Sequence, residues 1–255
     1  MKVAFDDFEL EWPHQFDSFG SERENFERDV HMLILSGLDA GIANLNSEAK
    51  KREDELRPHF ENPNDAVQER LADEMSDIWG YLADQERFLR NMGLVALLSR
   101  LTHALNKMAS DAEIFAPRDK DGYAGGDEFK KLWNEYQTRF GIAFSAKYIQ
   151  FVDPLRVARN HIVHKGGEAN PPKSLTDIDP DAGETGFYDL TFSKKYKRFI
   201  EGKGPLAMVR ITQQQLEEAV KSSMKIVRHA AEELRAKELD YVKKQRETAE
   251  NERID

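Results

Sequence analysis

Apolar residues recur at steps of three and four over most of this chain, a spacing that leaves little room for anything but packed helices. The first such run holds Phe26, Val30, Leu33, Ile34, Leu38, Ile42 and Leu45. Ahead of it, Ser21-Glu22-Arg23-Glu24 matches a capping box, so an amphipathic helix is predicted from there to about Leu56, before Pro58. Gly37 and Gly41 lie one turn apart on its apolar side, which predicts a close approach by another helix. A second run starts near Asn64-Asp65 with Val67, Leu71, Met75, Ile78, Trp79 and Leu82. It resumes as Leu89, Met92, Val95, Ala96, Leu101, Leu105 and Met108. One helix over that whole span would be unusually long for a globular protein, so a break or kink is expected between Asp84 and Gly93.

Punctuation by glycine and proline divides the rest. Pro117 to Gly126 is a loop by composition, and a third helix follows from about Asp127 to Phe140. A fourth begins near Phe144, with Pro154 expected to start or kink it. Residues 166–186, rich in Pro, Gly and Asp, are expected to form a surface loop. The period then changes to two. Phe187 to Phe192 and Leu206 to Ile211 are predicted as two short strands, joined by a basic connection that contains Gly202 and Gly204. Thr212 caps a last helix with Leu216, Val220, Ile226, Val227, Ala230 and Leu234 on its apolar side. The fold class is all-α, a helical bundle with a short β-hairpin inserted before the last helix. Three regions are expected: an N-terminal helical elaboration over residues 1–64, the helical domain over 65–244, and a charged, disordered tail over 245–255.

With 255 residues, the chain is long enough to bury a core without staples. It has no cysteine, which removes disulfides, thiolate zinc sites and cysteine nucleophiles, and points to a reducing cytoplasm. The longest apolar run, Gly93 to Leu98, falls far short of the roughly 20 residues that span a bilayer. The segment Met1-Lys2-Val3-Ala4-Phe5-Asp6-Asp7 lacks the basic-then-apolar pattern of a signal peptide, so no membrane association is expected. A formal net charge of −10 argues against a general nucleic-acid coat. It leaves room for one locally basic cleft that grips a few phosphates.

Such a cleft has a candidate in Arg159-Asn160-His161-Ile162-Val163-His164, followed by Lys165-Gly166-Gly167. Val152, Leu155, Ala158 and Ile162 carry the core period of this helix, which leaves Arg159, His161 and His164 off the stripe and at least partly exposed. A guanidinium grips phosphate with a planar fork of donors, and an imidazole moves protons near neutral pH. Asn160 and His164 are four apart, placed for the amide to orient the imidazole. The glycines put His164 in the last turn, where the helix dipole favours a protonated ring suited to a general acid. Arg159 and His164 are five apart, roughly 140° around a straight helix. They converge on one substrate only through a distorted last turn or through a second copy of the helix, as in a two-fold dimer.

The constellation resembles the HEPN superfamily, helical-bundle domains marked by an Arg-x4–6-His motif whose Arg is commonly followed by Asn. The matching residues are Arg159-Asn160-x-x-x-His164, and the layout from about Asp65 to Lys244 is similar: helices before the motif, a variable insertion after it, and a closing amphipathic helix. The resemblance implies a metal-independent endoribonuclease of toxin–antitoxin, abortive-infection or phage-defence type, acting as a homodimer with a composite cleft. It implies that Arg159 and His164 are catalytic and that Asn160 supports them, with RNA as substrate and an antitoxin or defence-system protein as a further partner. No cofactor is expected.

Other signals carry less. His161, Lys165, Lys195 and Arg198 are candidate substrate-binding residues. The last two belong to Lys194-Lys195-Tyr196-Lys197-Arg198, a basic and aromatic mixture of the kind that single-strand RNA binders use. A charged hairpin tip that protects an edge strand explains the same residues. His161 and His164 have a spacing open to a metal pair, but no carboxylate cluster lies near them in sequence, and no metal site is expected. Asp177-x-Asp179-x-Asp181 begins like a calcium loop, but Pro180 interrupts it, and Tyr188 stands where the bidentate Glu belongs. The alternative to an enzyme is a catalytically silent dimerisation module that binds a nucleotide or a partner protein, with Arg159 as its phosphate anchor.

Overall fold

A computed structural model describes residues 18–61, 64–117, 128–165, 200–201, 208–209 and 211–251. Six α-helices dominate them: α1 (Ser18–Asp29), α2 (Ser36–Leu56), α3 (Asp65–Asp111), α4 (Glu128–Phe140), α5 (Ala146–Lys165) and α6 (Gln213–Asn251). A π-helical turn, Val30–Leu35, joins α1 to α2, and 3-10 turns follow α2 and α3 at Arg57–Glu61 and Ala112–Ile114. The described residues divide between two compact units. One draws on Met1–Asp29, Leu98–Asp153 and Val220–Asp255, the other on Val30–Leu97 and Pro154–Ala219.

The first unit has an aromatic core. Tyr136 is fully buried, with Phe144 at 5.2 Å and Phe140 at 5.4 Å between ring centroids. Its hydroxyl donates to the Leu105 carbonyl at 2.9 Å, and burial pushes the phenol well above its ordinary range. Gly141, at φ 65°, turns the chain out of α4. The N–H groups of Gly141 and Ile142 satisfy the carbonyls of Gln137 and Tyr136 at 3.0 and 2.9 Å. A charged trio ties α1 to α3: Arg100 meets Glu22 and Asp29, each at 2.8 Å.

In the second unit α2 and the first half of α3 pack antiparallel. Gly41 lies opposite Leu89, where a Cβ would stand 3.1 Å from Leu89 Cδ1, and Gly93 lies beside Ile34. The expected close approach therefore holds for Gly41 but not for Gly37, which is exposed with nothing near it. Gly80 is likewise open on its outer side. Because alanine has the higher helix propensity, Gly80→Ala should stabilise the protein by about 1 kcal/mol. The urea midpoint should rise for this variant and not for Gly41→Ala, where Leu89 must give way. A lowered midpoint for Gly80→Ala would contradict the open surface.

Several expectations need correction. The first helix starts at Ser18, three residues ahead of the capping box at Ser21. Its apolar stripe is interrupted by the π turn, which is supported by a 2.9 Å bond from Ser36 Oγ to the His31 carbonyl. Phe26, Val30, Ile34 and Leu38, each four apart, stay buried in consequence, and Leu33 turns outward at 73% exposure. No break separates Asp84 from Gly93: α3 is one helix of 47 residues. Arg87 pairs with Asp84 and Arg90 with Glu86 across the expected break, and the space beside Gly93 is filled by Ile34 and Leu216. Trp79 and Met92, placed on the apolar side by their spacing, are exposed. Helix α5 continues through Pro154 as one helix from Ala146 to Lys165.

The end of the chain also differs. Helix α6 continues to Asn251, beyond the boundary expected at 244, helped by the i,i+4 pairs Lys244–Asp240 and Lys243–Glu247. At its start the expected cap is present and is a full capping box. Thr212 Oγ1 accepts from the Gln215 N–H at 3.2 Å, and Gln215 Oε1 accepts from the Thr212 N–H at 2.9 Å. The six residues expected on its apolar side are all buried. Ahead of it, β1 (Ile200–Glu201) pairs antiparallel with β2 (Met208–Val209), Ile200 opposite Val209. The expected strand Phe187 to Phe192 lies outside the described residues, and the partner of β2 falls in the stretch expected to be a connection.

Candidate functional site

The Arg159–His164 motif lies on helical backbone throughout, in the final third of α5. Val152, Leu155 and Ala158 seat this helix, at 0%, 0% and 3% exposure, as the core period requires. Beyond Ala158 burial declines: Ile162 is half-buried and Val163 is exposed. The motif therefore sits where α5 leaves the core, and Arg159 and Asn160 are both half-buried there.

Arg159 is held by little. Its Nη1 donates to Asn160 Oδ1 at 3.4 Å, a long and weak bond, and its Nε is sealed from solvent without an acceptor. Among the described residues it forms no ion pair. Elsewhere the helices of this protein satisfy their arginines locally: Arg57, Arg70, Arg90 and Arg139 each pair with a carboxylate four residues away. Positions three and four from Arg159 hold Leu155, Arg156, Ile162 and Val163, so no such pairing is open to it. An arginine N–H sealed from solvent without an acceptor is costly, and a ligand phosphate is one group that a half-buried guanidinium of this kind can hold.

His164 follows five residues on, still on the helix. A continuous backbone through both positions leaves Arg159 and His164 roughly 140° apart around the axis. Asn160, expected to orient His164, has its carbonyl oxygen turned to Arg159. The side chains of His161, His164 and Lys165 lie outside the described residues, as do Gly166, Gly167, Lys195, Arg198 and the Asp177–Asp181 segment. Among the described residues no three His, Asp or Glu side chains cluster as metal ligands do, and no helix is long and apolar enough to cross a membrane.

Sequence reasoning passed over Arg156. It is half-buried, with its Nε sealed from solvent, three residues before Arg159 and four before Asn160. Those intervals put all three on neighbouring positions of one helix face. No family model, curated protein or solved structure matches the chain.

Proposed function

We propose that this chain is a metal-independent endoribonuclease of the toxin or phage-defence type, a HEPN-like helical domain that works as a homodimer. The observation that carries the reading is Arg159: a half-buried guanidinium in a protein of net charge −10, with no carboxylate partner among the described residues and His164 on the same helix. A scissile phosphate would supply the missing anion.

In the proposed reaction an imidazole takes the proton of a ribose 2′-hydroxyl as that oxygen attacks the adjoining phosphorus. The bond from phosphorus to the 5′-oxygen breaks, and a second, protonated imidazole gives its proton to the leaving oxygen. One turnover thus leaves a 2′,3′-cyclic phosphate and a 5′-hydroxyl, with no water consumed and no net proton released. His164 serves as one of the two imidazoles, and its copy in the second subunit as the other. The angular separation of Arg159 and His164 on one helix is what favours a composite cleft over a site within one subunit. Arg159 holds the negative charge that builds on the non-bridging oxygens, and Asn160 keeps the guanidinium in place. His161, Lys165, Lys195 and Arg198 are proposed to contact the RNA strand, and an antitoxin or defence-system protein is proposed as regulator.

Incubation of pure protein with mixed RNA in excess EDTA tests this. Cleavage in EDTA is expected. Cleavage that appears only when a divalent metal is restored would refute the mechanism, and tight binding without cleavage would leave a silent nucleotide-binding module as the better account.

A further inference from the structure

We infer that the exposed face of α3 around Tyr81 and Phe88 is a docking surface for a basic, amphipathic helix of another protein. It lies on a different helix from the Arg159 motif, and it stands whether or not the chain cleaves RNA.

Tyr81, Phe88 and Met92 are 56%, 57% and 44% exposed, although all three are large and apolar enough to belong in a core. Steps of seven and four place them within an arc of about 40° on α3, along roughly 16 Å of its length. That is the spacing at which an amphipathic helix sets its anchors. A groove between α2 and α3 opens beside Tyr81 and is lined by Leu45, Ala49, Ile78 and Leu82, so the apolar surface continues past the stripe. Charge names the occupant. Asp65, Glu69, Asp73 and Asp77 follow one another at intervals of four, all exposed, as one ridge that leads into Tyr81. Among the described residues these four acids form no ion pair, while the arginines of this half of α3 are engaged elsewhere: Arg70 with Glu74, Arg87 with Asp84 and Arg90 with Glu86. Asp65 is suited to the helix start, but Asp73 and Asp77 lie beyond the first turn, where the dipole no longer favours them. Like charges four apart destabilise a helix, and a basic partner removes that repulsion. A second copy of the chain answers this less well: the same face would supply Tyr81, Phe88 and Met92 again, but no free base for the ridge.

The test uses the full-length protein and two fluorescent synthetic helices of equal length that share one leucine stripe, flanked by lysine in one and by glutamate in the other. Anisotropy at low salt should show saturable binding of the lysine peptide, lost as salt rises, and none of the glutamate peptide. Asp73→Asn with Asp77→Asn should weaken the lysine peptide about tenfold, the effect of two exposed charge pairs. Phe88→Ala should weaken it by a similar factor through the loss of one aromatic anchor. Glu232→Gln with Glu233→Gln, exposed acids of α6, should leave binding unchanged. Absence of saturable binding to the wild type would overturn the inference. So would an equal loss in the α6 variant, which would mean a general attraction to an acidic protein. Sedimentation of Phe88→Ala completes the test: an unchanged oligomeric state is expected, and dissociation of a wild-type dimer would give this face to a second copy instead.

Discussion

His164→Ala should slow RNA cleavage by roughly 10³-fold, within the range that a positioned general acid or base contributes, and should leave thermal stability unchanged within error. The two halves of that expectation have separate grounds. Loss of rate follows because, in the proposed composite site, each dimer loses both imidazoles at once. Preserved stability follows from where α5 is anchored: among the described residues, those buried on it are Val152, Leu155 and Ala158, all upstream of position 164. Single-turnover cleavage and a melting curve on the same preparation settle both. Arg159→Lys makes an informative companion, since it keeps the charge but removes the fork that holds two phosphate oxygens together. A His164→Ala protein that cleaves at the wild-type rate would exclude this imidazole from the chemistry.

The largest effect on stability is expected at Arg100. Its guanidinium meets Glu22 and Asp29 at 2.8 Å each, and the three side chains are 18%, 11% and 29% exposed. Arg100→Ala would strand two carboxylates in a poorly hydrated site. Breaking such a group by removing one member costs about 3 kcal/mol, less if water reaches the orphaned oxygens. Replacing all three with apolar residues of similar volume should recover most of that loss, because the penalty comes from unpaired charge and not from lost attraction. Urea denaturation of Arg100→Ala and of the triple variant distinguishes the cases. A loss below about 1 kcal/mol in Arg100→Ala would place the trio among ordinary surface pairs.

The parts of this fold that were legible in the sequence are those decided within a turn or two of helix. Thr212 and the apolar positions from Leu216 to Leu234 sufficed for α6, because a capping residue and a 3.6-residue period act locally. Asn64 similarly marks the start of α3, where its Oδ1 accepts from the Ala66 N–H at 3.0 Å. What escaped reading depends on neighbours. The helix continues through Gly93 because packing against Ile34 and Leu216, with the Arg87–Asp84 and Arg90–Glu86 pairs, outweighs the propensity cost of glycine, and that packing is not visible in any window of sequence. Leu33 faces outward because one π turn resets the stripe. The site shows the same division. Arg159, Asn160 and His164 stood out by spacing on one helix, whereas the sealed Nε of Arg159 depends on its neighbours in space. Lys195 and Arg198 lie outside the described residues, and their part in the site rests on sequence alone.

The central claim is that this helix cleaves RNA through its 2′-hydroxyl without a metal. The most direct measurement is the chemical identity of the ends made in EDTA, paired with a substrate that carries a single 2′-deoxy sugar at the cleavage position. The account predicts 2′,3′-cyclic phosphate and 5′-hydroxyl ends from RNA, and no cut at the deoxy position. Ends bearing 5′-phosphate and 3′-hydroxyl, or cleavage that proceeds past the deoxy sugar, would contradict it.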